Sequence, residues 1–269
     1  MNALAILRKI GVGVLRCAAV LALLLYLLQD KLMFHPDGEY FSPASVGMPE
    51  FAEETLAAGD GTPLRLWLAP GRPGKPAILF FHGNAGQNAA FAPGLRPFLE
   101  AGYPVAMLEY RGFAGAAGKL REEAVFGDAA TAYDFLQSRG HARIVLMGFS
   151  FGTGVACGIL PRREPVGVVL VSPFFSFVQK GMETATSAAY LLMRDHYRSD
   201  RHIAHLRAPL LVVYGADDTL LPPKTHAEKL FALAPGRDKT RICLDHCGHN
   251  RALDRPDAVK AVLRWLDGR

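Results

Sequence analysis

Residues 148–152 read Gly-Phe-Ser-Phe-Gly, at the end of the apolar run ARIVLM and ahead of the small-residue stretch TGVACGIL. A serine hydroxyl is a weak nucleophile at its resting pKa. It becomes useful for acyl transfer only with a base in hydrogen-bond reach, a third group that orients the base, and N–H donors for the oxyanion. The rest of the chain offers a candidate for each role. In ILFFHGNAG, glycines at 83 and 86 let the backbone approach a ligand closely. The N–H of Asn84, together with that of Phe151 directly after Ser150, is therefore the expected oxyanion hole. His82 in the same loop reads as an organiser of that loop and not as a base. Asp217 and Asp218 follow the apolar run LLVVYG, and His246 and His249 follow TRICL. The residues alone leave the choice of acid open, since both aspartates could also cap the helix expected near Pro222. Between the histidines, His246 is expected to belong to the strand end. His249 stands after a flexible glycine and ahead of Asn250, and is the expected base.

These groups work together only if the fold carries them to one edge. From about Glu50 onward, nearly continuous apolar runs (LRLWLA, AILFFHG, YPVAMLEY, ARIVLMGFS, VGVVLVSP, APLLVVYG, TRICLDH) alternate with longer amphipathic or small-residue segments. Runs of that kind suit parallel strands covered on both faces. The segments between them (89–102, 121–140, 151–163, 222–235 and 250–269) are expected helices, so the order predicts a doubly wound α/β sheet with right-handed crossovers. In such a sheet the loops beyond the strand C-termini converge, and the chain order serine, aspartate, histidine is that of the α/β-hydrolase triad. The longest break in the rhythm, 174–207, is expected to be a short helical insert. Its Phe174, Phe175, Phe177, Met182, Tyr190, Leu191, Leu192 and Met193 could line an acyl pocket, or simply pack over the sheet edge.

Composition narrows the partners. Of 269 residues, 50% are hydrophobic and 20% charged, which suits a globular domain with an apolar surplus. The net charge of +5 is scattered, with no basic block and no interleaved aromatics, so no nucleic-acid partner is expected. Part of the apolar surplus lies at the N-terminus, where Arg8 and Lys9 precede a run from Ile10 to Leu28 broken only by Arg16. As a helix that run reaches about 28 Å, close to a bilayer's hydrocarbon thickness. No small-x-small cleavage site follows it, so residues 1–34 are expected to be an uncleaved membrane anchor and 35–269 the catalytic domain. Basic residues on its N-terminal side place the domain on the non-cytoplasmic face, the periplasm in a bacterium. The four cysteines are too few and too scattered for a disulfide framework, and Cys157 is expected to be a small core residue. Cys243, His246, Cys247 and His249 invite a zinc reading, but a strand sends Cys243 and His246 to opposite faces and a second ligand pair is lacking. No metal and no cofactor are expected.

The motifs HGNAG, LEYRGFAGAAGK, GFSFG, YGADDTLLP and HCGHN, with YLLQDKLMFHP ahead of them, resemble the single-pass, membrane-anchored α/β-hydrolase-domain proteins of the bud-emergence type, which include depalmitoylase-like members. The resemblance runs from about Tyr26 to the C-terminus. It implies the α/β-hydrolase fold, a mostly parallel sheet with the insert after strand 6 and a membrane helix in front. It also implies a serine hydrolase acting on carboxylic esters or thioesters, with acyl or lipid-like substrates. The family pattern G-x-x-D-x-x-x-P falls on Gly215, Asp218 and Pro222 and so selects Asp218; GHN likewise selects His249. The chain departs from relatives at Glu109, where they carry aspartate, and at Ala114 and Ala116, where they carry glycine and serine. Rival expectations are a catalytically idle interaction module at the membrane and a peptidase of the same fold.

Overall fold

The computed structural model describes residues 3–36, 38–184 and 192–269. An eight-stranded sheet is built from β1 (Ala52–Ala57), β2 (Pro63–Ala69), β3 (Ala77–Phe81), β4 (Val105–Leu108), β5 (Ile144–Phe149), β6 (Gly167–Val171), β7 (Leu210–Gly215) and β8 (Lys239–Leu244). Their order across the sheet is β8-β7-β6-β5-β3-β4-β2-β1. Only β1–β2 and β2–β4 pair antiparallel. This is the α/β-hydrolase fold expected from the sequence. β3 to β7 are buried along their whole length, which is why they read as unbroken apolar runs.

The helices used below are α1 (Ala3–Met33), α2 (Glu122–Ser138), α3 (Phe151–Gly158), α4 (Phe177–Thr184), α5 (Ala227–Leu233) and α6 (Pro256–Asp267). One face of the sheet packs Phe126, Leu136, Val155, Tyr197 and Leu230, from α2, α3, α5 and the insert. The other packs Phe98, Tyr103, Val262 and Leu266 against Trp67, Phe80 and Met147. Each such side chain contributes about 1.5–3 kcal/mol on burial. The helix expected over 89–102 is instead broken into Asn88–Phe91, a 3-10 turn Ala92–Leu95 and Arg96–Glu100. Pro93 and Pro97 lack the N–H that a continuous helix would need there.

Within α1, Leu7–Met33 is long and apolar enough to cross a membrane, with mean hydropathy 2.3. Its leucines are exposed, yet its last turn is joined to the rest of the molecule. Gln29 Nε2 donates to Leu192 O (3.1 Å), and the Arg194 N–H donates to Gln29 Oε1 (2.8 Å). Asp30 accepts from Arg121 (2.9 Å) and Arg194 (2.6 Å). Phe34 is buried, with its ring 5.5 Å from Phe151 and 5.8 Å from Phe177. His35–Pro36 then pairs parallel with Ala85–Gly86. The boundary expected between residues 34 and 35 thus falls inside a packed joint. In the insert, Phe174 is buried in the core, Phe175 and Phe177 are half-buried, and Met182 is exposed. Tyr190 and Leu191 lie outside the described residues.

Candidate active site

Strand β5 ends at Phe149, and Ser150 turns the chain into α3 with φ 50° and ψ −116°, a conformation few non-glycine residues adopt. The turn is so tight that a Cβ on Gly148 would lie 2.4 Å from Gly152 O, and one on Gly152 would lie 2.0 Å from Phe81 O. The two flanking glycines are therefore a steric requirement. The Ser150 N–H donates to Val171 O at 2.9 Å, which ties the turn to the end of β6.

Asp218 and His249 arrive on the loops after β7 and β8, which are bonded to one another by Ala216 N–H to Leu244 O (2.9 Å) and Asp217 N–H to Cys247 O (3.0 Å). Asp218 is buried. Its Oδ1 accepts the Leu221 N–H at 2.8 Å, and its Oδ2 accepts from His249 Nδ1 at 2.7 Å. His249 Nε2 lies 2.8 Å from Ser150 Oγ. Since Nδ1 donates to the carboxylate, Nε2 of the neutral ring is free to accept the serine proton. Asp217 and His246 are both exposed, and His246 has φ 52°. Neither takes part in this line of hydrogen bonds.

Asn84 follows β3 on the facing loop. Among the described residues, neither its backbone N–H nor that of Phe151 donates to another protein atom. The Asn84 side chain is engaged elsewhere, with Nδ2 donating to Met33 O at 2.5 Å. The Phe151 amide opens α3, where the helix N-terminus favours negative charge.

Three supports were not evident in the sequence. Ser172 Oγ donates to His249 O at 3.0 Å, with Ser172 itself at φ 47°; nothing in VSP announces this. Glu109 is fully enclosed, with Oε1 3.1 Å from His82 Nε2 and Oε2 accepting the Asn88 N–H at 3.0 Å. Tyr110 OH donates to His82 O at 2.9 Å, and burial keeps that phenol well above its ordinary pKa and hence a donor. His82 thus organises the Asn84 loop, as its place in the sequence suggested. At the second departure from relatives, Ala114 sits at φ 47°, a left-handed position that glycine fills without strain.

Cys157 is wholly buried, and burial pushes its thiol up to about 12, in keeping with a core role. Cys243 is exposed and Cys247 buried, and among the described residues no three histidine, cysteine or acidic side chains gather where they could hold a metal ion.

The family model described as "Serine aminopeptidase, S33" matches residues 72–195. Protein Rv2307c of Mycobacterium tuberculosis is 32% identical over 249 residues, covering 88% of this chain and 87% of that one. The chain belongs to the α/β-hydrolase superfamily. Lysophosphatidylserine lipase ABHD12 of Danio rerio is 28% identical over 181 residues, 59% of this chain and 47% of that protein. Among solved structures, Pyrococcus furiosus esterase Pf2001 superposes with TM-score 0.71 at 17% identity, over 88% of this chain and 98% of its own. A bacterial membrane phospholipase A superposes with TM-score 0.63 at 18% identity, over 97% of this chain and 98% of its own.

Proposed function

We propose that this protein is a membrane-anchored serine hydrolase, of the single-pass branch its motifs resemble, that cleaves carboxylic esters or thioesters of acyl, lipid-like substrates. The observation that carries the reading is the unbroken line from Asp218 through His249 to Ser150, at 2.7 and 2.8 Å. In this reading His249 Nε2 takes the Ser150 proton as Oγ attacks the acyl carbonyl carbon. Asp218 holds the imidazole in the useful tautomer and stabilises the imidazolium. The Asn84 and Phe151 N–H groups bond the oxyanion, and removal of one such donor typically costs about 10²–10³ in turnover. The leaving alcohol or thiol collects the proton from His249, and a water then resolves the acyl-enzyme with His249 again as base. Residues 1–34 hold the protein at the bilayer. The names of the relatives, a lysophosphatidylserine lipase and a membrane phospholipase A, favour lipid-like esters over small polar ones. The family description favours a second reading, an aminopeptidase, which would also cleave aminoacyl amides that an esterase leaves intact.

A fluorophosphonate probe is the direct test, since it reacts with a serine only when base and oxyanion hole activate it. Wild-type protein is expected to be labelled at Ser150 and Ser150→Ala not at all. Equal labelling of the two would refute the assignment, and an unlabelled wild type would favour the idle interaction module.

A further inference from the structure

A cavity of about 570 Å³ lies between the last turns of α1 and the insert, within the range of small-ligand sites. Leu25, Leu32 and Met33 of α1 and Phe177, Leu192 and Met193 of the insert line it, together with Asn84. The Phe177 ring stacks on that of Phe151 at 5.8 Å, so one wall of the cavity packs on the residue that follows Ser150, although Ser150 and Phe151 do not themselves line it. His249 does not line it.

We infer that this cavity is the acyl-chain site, and that α1 is a wall of the substrate pocket as well as a tether. The inference rests on the serine-hydrolase reading above and deepens it. An acyl carbonyl whose oxygen lies at the Asn84 and Phe151 amides must direct its leaving group toward His249, which protonates it. The acyl chain then extends away from His249, and the apolar space that begins at Asn84 receives it. Because one wall belongs to a helix apolar enough to lie in a bilayer, the site takes a single acyl chain directly from the lipid phase. The joint that fixes this wall is polar: the Asn84 bond to Met33 O, the Gln29 bonds to Leu192 and Arg194, and the Asp30 pairs with Arg121 and Arg194.

Gly181 gives a direct way to fill the site. It lies on α4 and lines the cavity, and among the described residues the atom a Cβ there would approach is Met193 Sδ, at 3.4 Å. With full-length protein in detergent micelles, Gly181→Leu is expected to keep its fluorophosphonate labelling and to lose far more of its rate on the lauroyl than on the butyryl p-nitrophenyl ester. Its kcat/KM on the lauroyl ester should fall about 10-fold or more, the scale set by a methylene with no room. Leu32→Trp, at an exposed helix position, should shift the same ratio and so covers a Gly181→Leu protein that fails to fold. A lauroyl-to-butyryl ratio unchanged in labelled Leu32→Trp would overturn the inference. A shift confined to alcohol chain length, with acetyl esters of butanol and dodecanol as the series, would overturn the assignment of the acyl side. Absence of labelling in wild type would instead defeat the underlying hydrolase reading.

Discussion

At the scale of single residues, the site rests on two choices between neighbours. Asp218 and His249 face inward and bond each other, while Asp217 and His246 face solvent. His249→Ala and Asp218→Ala should each lower ester turnover by about 10³-fold or more, and Asp217→Ala and His246→Ala by less than about 10-fold. Steady-state kinetics on a single p-nitrophenyl ester series would check all four, and a reversal within either pair would show that a different loop conformation is the working one. The turn at Ser150 was legible in the sequence from its two glycines, although only Gly148 answers to hard-sphere contact within five residues, while Gly152 answers to Phe81 O at the end of β3. The Ser172 bond to His249 O was not, because a serine after a strand has many possible acceptors and only the assembled fold selects one. Glu109 was visible as a departure from relatives, but its two roles, toward His82 and the Asn88 amide, emerge only when residues 82 and 109 are brought together by strand pairing.

Among the elements, those with strong periodic or continuous patterns were legible and those defined by their neighbours were not. The buried strands β3 to β7 were anticipated, whereas β1 was missed. Its sequence AEETLA alternates glutamate, threonine and alanine at a sheet edge with one face in solvent, and carries almost no apolar signal. The joint between α1 and the domain was equally hidden, since Asn84 and Met33 are 51 residues apart and Asp30 and Arg121 are 91 apart. The insert shows a comparable long-range tie. Buried His226 accepts the Phe175 N–H on Nδ1 at 3.0 Å and lies 3.1 Å from Glu183 Oε2 through Nε2. Burial holds its pKa below the ordinary value, with the Glu183 bond opposing. The sign follows from linkage. The neutral ring's contribution is fully present above the unfolded pKa of about 6.5 and is lost as pH falls through the lower folded value. Protonation at Nδ1 would also strand the Phe175 N–H, at about 1–3 kcal/mol. Amide protection factors over 175–183, taken relative to the intrinsic base-catalysed rate at each pH, should therefore fall between pH 7 and 5. His226→Gln, which keeps an acceptor and a donor but does not titrate, should flatten that dependence; a slope equal to wild type would point to another group.

For the whole molecule, the proposed membrane anchor carries a testable orientation. Arg8, Lys9 and Arg16 lie on the N-terminal side of the apolar run, while Lys31 after it is offset by Asp30. If residues 1–34 span a bilayer as proposed, the positive-inside rule predicts an N-terminus in the cytoplasm and a hydrolase domain across the bilayer, in the periplasm of a bacterium. Fusions of alkaline phosphatase and green fluorescent protein to the C-terminus should give phosphatase activity and no fluorescence, and the opposite pair of results would reverse the orientation. The direct contact between α1 and the Asn84 loop has a further consequence for how such an enzyme would meet its substrate. If residues 1–34 are a bilayer anchor and Asn84 an oxyanion donor, as proposed, the direct bond between Asn84 and Met33 leaves the reacting centre no slack to reach out into the aqueous phase. Its encounters would then be two-dimensional. The quantity that governs its velocity is the mole fraction of substrate within the surface, so diluting a membrane with inert lipid would slow it while diluting the suspension with buffer would not.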